Sequence, residues 1–76
     1  MMKELVETIA KALVDHPDDV RVTEVEHEQS LTLQLSVHAS DMGKVIGKQG
    51  RIAKAIRSVV YAAGANHKKR INLEIQ

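Results

Sequence analysis

The chain has no cysteine, no tryptophan and no phenylalanine, and only one tyrosine and one proline among its 76 residues. Without cysteine, neither a disulfide nor a thiolate site can form. No segment approaches the roughly 20 consecutive apolar residues of a membrane span. The opening Met1-Met2-Lys3-Glu4-Leu5 carries charge where a secretory signal needs an apolar run. These absences lead to the expectation of a soluble cytoplasmic protein without a membrane partner. Tyr61 is the only aromatic side chain, so RRM and OB folds, which hold bases on several aromatic platforms, are disfavoured. The histidines, His16, His27, His38 and His67, lie 11, 11 and 29 residues apart, with no helical i,i+4 pair, so no metal site is expected. No carboxylate pair or Ser/His pair has catalytic spacing. Neither an enzyme nor a cofactor is therefore expected.

What is present is unevenly distributed. A chain of 76 residues makes one domain, residues 1–76, and buries only about 60% of its unfolded surface. Residues 1–38 carry three basic and eight acidic side chains, a net −5, whereas residues 39–76 carry eight basic and two acidic ones, a net +6. Such asymmetry suits an anion-binding surface, with nucleic acid the commonest ligand, or two halves that neutralise each other across a fold.

Hydrophobic periodicity orders the elements. Leu5, Ile9, Ala12 and Leu13 give an amphipathic helix over about 2–14, which His16-Pro17-Asp18-Asp19 ends. Val20 to His27 reads as a strand whose alternation slips after Val22, and Glu28-Gln29-Ser30 reads as a turn. Leu31, Leu33, Leu35 and Val37 then alternate strictly with polar residues, as in a strand with one apolar face. Ser40 or Asp41 is positioned to cap a short helix to about Ile46, which Gly47 stops. A second helix runs from Arg51 to about Ala63 on a stripe of Ile52, Ile56, Val59, Val60 and Ala63, and Gly64 and Asn66 end it. Ile71, Leu73 and Ile75 form the last strand. The order helix, strand, strand, helix, helix, strand predicts an α+β sandwich, with helices on one face of a three-stranded sheet.

The most specific chemical signal is Gly47-Lys48-Gln49-Gly50, set between the two helices. Gly47 ends one helix. Gly50 removes a Cβ where a phosphate would collide at the start of the next. Lys48 offers charge and Gln49 a donor and an acceptor, with Lys44 and Arg51 nearby. The bland counterpart is a tight helix–loop–helix turn. The run is not a Walker A loop, because both the spacing and the Ser/Thr are wrong, and Val45 stands where a dinucleotide fingerprint needs its first glycine.

The run from Ser40 to Arg57, through Asp41-Met42-Gly43-Lys44-Val45-Ile46-Gly47-Lys48-Gln49-Gly50-Arg51-Ile52-Ala53-Lys54-Ala55-Ile56, resembles the K-homology (KH) domain. The resemblance is closest to the small bacterial single-domain members. It covers essentially the whole chain, including Asp18-Asp19 and the closing Lys69-Arg70-Ile71-Asn72-Leu73-Glu74-Ile75. It implies the type II KH topology with a mixed sheet. It also implies binding of single-stranded RNA, with the glycine loop clamping about four nucleotides of backbone. The binding residues it implies are Lys44, Val45, Ile46, Gly47, Lys48, Gln49, Gly50, Arg51, Ile52 and Lys54, with Val45, Ile46 and Ile52 as aliphatic groove lining; for Ile46 and Ile52 the alternative is core, expected for at least one of the two. It further implies an RNA chaperone or post-transcriptional regulator in the bacterial cytoplasm, touching cell-envelope growth or division. Self-association as a dimer, and pairing with a larger KH protein of the KhpB (Jag) type, are implied as well.

Opposite the apolar stripe of the second helix lie Lys54, Arg57, Ser58 and Tyr61. Arg57 and Tyr61 make a candidate partner interface, or else an exposed Tyr resting on cationic stems. Lys68-Lys69-Arg70 either extends a phosphate track or keeps a turn soluble. Two further functions stay open: a KH-fold scaffold for protein partners with little RNA binding, and single-stranded DNA binding.

Overall fold

The strand with the strictest alternation sits at the centre of the sheet. In the computed structural model, which describes residues 2–65 and 68–76, β2 (Ser30–Ser36) buries Leu31, Leu33 and Leu35 on one face and turns Thr32, Gln34 and Ser36 to the other. β1 (Arg21–Glu26) pairs with it antiparallel, setting Val22 opposite Leu35. β3 (Arg70–Ile75) pairs with it parallel, setting Ser30 opposite Arg70 and Leu35 opposite Ile75. The sheet order is β1-β2-β3, so β3 has one open edge. A parallel neighbour requires a long crossover. Two helices supply it: α2 (Met42–Ile46) and α3 (Arg51–Ala63).

With α1 (Met2–Leu13), these helices cover the leucine face. Val6 and Ala10 of α1 and Ile56 and Val60 of α3 are buried in one cluster with Leu33, Leu35, Ile71 and Leu73. The other sheet face is polar, and there Gln34 Nε2 donates to Glu74 Oε1 at 3.3 Å. This is the mixed-sheet α+β arrangement of the type II KH fold, with the element order the periodicity predicts.

Three local expectations change. The α3 stripe is centred on Ala53, Ile56 and Val60, and Val59 is 46% exposed, because α1 covers the helix only part of the way round. The slip in β1 has a comparable cause: the strand lies at the sheet edge, where Val22 is buried but Glu24 and Glu26 are exposed. Ser30 belongs to β2 rather than to the turn, and its carbonyl accepts from His27 N at 2.7 Å. Asn66, expected to help end α3, lies outside the described residues, as does His67.

Candidate nucleic-acid interface

The glycine loop is held in a backbone shape that ordinary residues resist. Gly47 closes α2, donating its N–H to Gly43 O at 2.8 Å, and has φ 75° and ψ 173°. That region is essentially reserved for glycine, and it ends α2 with an extended residue rather than with the left-handed one common at helix ends. Gly47 is also wedged: a Cβ built on it would lie 2.6 Å from Ile52 Cγ1. Lys48–Gly50 form a single tight turn closed by Gly50 N donating to Gly47 O at 3.2 Å. Within it Gln49 has φ 57° and Gly50 φ 73°, so three of the four loop residues carry positive φ. Gly50 differs from Gly47 in that a Cβ there would meet nothing within 4 Å. The space over Gly50 is open to a ligand backbone.

Directly after Gly50 begins the thirteen-residue α3, with no side-chain cap on its first turn. Its leading N–H groups and the positive end of its dipole therefore point to the loop's open side. Lys48, Gln49, Arg51 and Lys54 are exposed around this point. Arg51 Nη2 donates weakly to Gln49 Oε1 at 3.4 Å, tying the two side chains together. Neither Lys48 nor Lys54 has an ion-pair partner among the described residues.

The remaining predicted residues fall elsewhere. Val45 is wholly buried and is core, so it cannot line a groove; α2 turns it inward against the rest of the fold. Ile46 and Ile52 are half-buried and keep accessible surface. Ile52 fills the space beneath Gly47 and, with Ile9, Leu13 and Val59, lines an open apolar groove of about 390 Å³ between α1 and α3. Tyr61 is 46% exposed, on the outer flank predicted for it. Arg57 is half-buried and leans across to the sheet, its Nε donating to Leu73 O at 3.3 Å on the open edge of β3.

Lys44 is engaged as well. Its ammonium lies 2.9 Å from Asp15 Oδ2 and 3.5 Å from Asp41 Oδ1. The hydrogen bond and charge of Asp15 push its pKa above the usual 10.5. Asp41 gives α2 no side-chain cap. Instead its fully buried carboxylate accepts from Asp15 N (3.3 Å), His16 N (3.0 Å) and His16 Nδ1 (3.0 Å). Burial alone would push this carboxyl up. Hydrogen bonds from the His16 ring and from the Asp15 and His16 amides, together with the His16 charge, hold it instead at about 2, below the usual 3.8. The His16 ring stacks on His38, with centroids 4.1 Å apart. His38 Nδ1 accepts from Ser40 N at 3.1 Å, so the cap on this turn comes from His38 and not from Ser40 or Asp41. The cluster pins the end of α1 to the start of α2. Nothing in the spacing announces it, since Asp41 meets partners 25 and 26 positions earlier.

Among the described residues, no cluster of His, Asp or Glu could hold a metal ion, and no helix is long and apolar enough to cross a membrane.

A type II KH fold with an intact glycine loop defines a class, and comparison with known proteins narrows it. The family described as "KhpA/KhpB, KH domain" matches residues 3–75, and the chain belongs to it. It is 68% identical over 74 residues to the RNA-binding protein KhpA of Halalkalibacterium halodurans, covering 97% of each chain. It is 64% identical to the RNA-binding protein KhpA of Clostridium acetobutylicum, covering 97% of this chain and 99% of that one. With the namesake of Bacillus subtilis it shares 55% identity, covering 97% of this chain and 91% of that protein. Among solved structures it is similar to Era in complex with MgGDPNP and nucleotides 1506–1542 of 16S ribosomal RNA. That match has a TM-score of 0.71 at 19% identity and covers 97% of this chain and 28% of the other, so it speaks to the fold alone.

Proposed function

We propose that this chain binds single-stranded RNA through the Gly47–Gly50 loop, as an RNA chaperone or post-transcriptional regulator in the bacterial cytoplasm. The observation that carries the reading is the space over Gly50. The loop turns three of its four residues to positive φ and leaves room for a ligand backbone at an uncapped helix start. Phosphates there meet N–H groups, the helix dipole and the side chains of Lys48, Arg51 and Lys54. Lys44, held by Asp15, acts by fixing α2 rather than by donating to phosphate. Ile46 and Ile52 offer the aliphatic surface that bases need where aromatic platforms are missing. The name shared by the relatives, RNA-binding protein KhpA, supports the same reading.

The test replaces Lys48 and Gln49 with Asp. Both side chains are exposed, so the fold stays intact by circular dichroism while two carboxylates face the phosphates. A gel shift with single-stranded RNA then shows binding abolished; undiminished binding removes the loop from the mechanism.

One loop holds only about four nucleotides, which gives few contacts and little sequence information. The working unit is therefore paired, as a homodimer or with a KhpB (Jag)-type KH protein, which raises the effective concentration of the second contact. The outer flank of α3, with Tyr61 as anchor and Arg57 beside it, is the proposed contact surface.

A further inference from the structure

Lys68, Lys69 and Arg70 are not accounted for by the glycine loop. With Glu28, Gln29 and Ser30 they line an open cleft of about 780 Å³ between the β1–β2 turn and the start of β3. Three consecutive cations thus share the lining with one carboxylate, Glu28. Lys69 is ion-paired with Glu26 and belongs to the wall. The two walls are fixed to each other, since Arg70 N donates to Gln29 O at 3.0 Å and Arg70 stands in register with Ser30. Lys68 and Arg70 are exposed.

The position of this cleft is set by α3. The helix starts at the glycine loop, and its thirteen residues cover about 20 Å. It ends against the beginning of β3, where a Cβ on Gly64 would lie 2.9 Å from Ile71 Cγ1. The loop and the cleft therefore stand at opposite ends of one helix. The flank joining them carries Lys54 and Arg57, and Arg57 bonds to the open edge of β3. Arg70 shares the sheet face of Asn72 and Glu74, opposite the helices, so a strand passing from the loop to the cleft rounds the open edge of β3.

We propose that this cleft is a second phosphate-binding site, which takes the backbone of the same RNA strand beyond the nucleotides held at the glycine loop. The proposal rests on the reading of that loop as an RNA clamp. Lysine and arginine around an open cleft suit phosphodiester charge, and the lining has no aromatic side chain to stack a base, so the site adds affinity and strand register rather than sequence preference.

The test measures fluorescence anisotropy with mixed-sequence oligoribonucleotides of about four and about ten nucleotides. Two additional neutralised phosphates steepen the log K against log[salt] slope of the longer strand by about 1.4. Its advantage over the short strand then shrinks about sevenfold between about 50 and about 200 mM salt. Lys68→Ala with Arg70→Ala removes that increment and leaves binding of the short strand unchanged. Lys3→Ala with Lys11→Ala, a charge-matched change on α1, leaves it in place. Equal slopes for wild type and the Lys68/Arg70 variant on the long strand overturn the cleft site, as does the same loss in the α1 control. If wild type binds neither length, the loop reading fails first; if the short strand binds through Lys48 and Gln49 but the increment is absent, only the cleft fails.

Discussion

Gly47 and Ile52 occupy one space: Ile52 Cγ1 stands 2.6 Å from where a Gly47 Cβ would be. Gly47→Ala therefore combines an unfavourable φ with a clash in the packed layer, and costs about 2–4 kcal/mol. Gly50→Ala has the φ penalty and no clash, and costs about 1 kcal/mol. Urea denaturation of both variants checks the order. On RNA the ranking inverts, with Gly50→Ala folding well and binding poorly, since its new methyl stands in the ligand's space.

The electrostatic part of RNA binding has a measurable signature. Neutralising about three to five phosphates gives log K against log[salt] a slope of roughly −2 to −3.5 on single strands. A slope near zero contradicts the account. So does a preference for duplex, which hides the base edges that the loop's neighbours would contact.

Asp41 makes stability depend on acid. Its folded pKa of about 2 is below the usual 3.8, so its contribution is complete above about pH 3.8 and is lost as pH falls toward 2. Asp41→Asn lacks that contribution at every pH and leaves buried donors short of an acceptor, which lowers Tm by at least about 4 °C near neutrality. The gap between wild type and variant narrows as pH drops through that window. Thermal melts at neutral pH and near pH 2.5 test it, and a constant gap rules out Asp41 as the titrating group.

Two exposed apolar surfaces compete as the place of self-association. Tyr61→Ala removes interface area without touching the core, since the side chain is 46% exposed. Val59→Asp instead charges the groove shared with Leu13 and Ile9. Sedimentation equilibrium is expected to show a wild-type dimer weakened by Tyr61→Ala. A dimer that yields only to Val59→Asp moves the interface to the α1–α3 groove, and a monomeric wild type ends the self-association reading.

Most of the architecture was legible because local patterns and tertiary packing agree. The alternation of Leu31, Leu33 and Leu35 required a one-faced strand, and the two glycines marked the only sharp break between helices α2 and α3. Parts of the site could not be read because they depend on contacts between segments distant in sequence. Val45 looked like groove lining beside the loop until α2 turned it inward. Val59 belonged to the apolar stripe by spacing, but α1 stops short of covering it. Arg57 lies on the polar side of α3, yet a long side chain let it reach the Leu73 carbonyl. The Asp41 carboxylate had a plausible local role as a cap, and lost it to backbone amides from the end of α1.

The parallel register of β2 with β3 has a consequence for the protein's synthesis. Ser30 meets Arg70, so the chain between them must travel out and return before the sheet closes. On a ribosome, α1, β1 and β2 emerge first and offer only a hairpin and a loose helix. The glycine loop follows on a helix whose Ile56 and Val60 do not yet have Ile71 and Leu73 to pack against. Until residues 70–75 have left the exit tunnel, the loop has no fixed platform. The loop therefore precedes β3 in the chain and follows it in gaining a fixed shape.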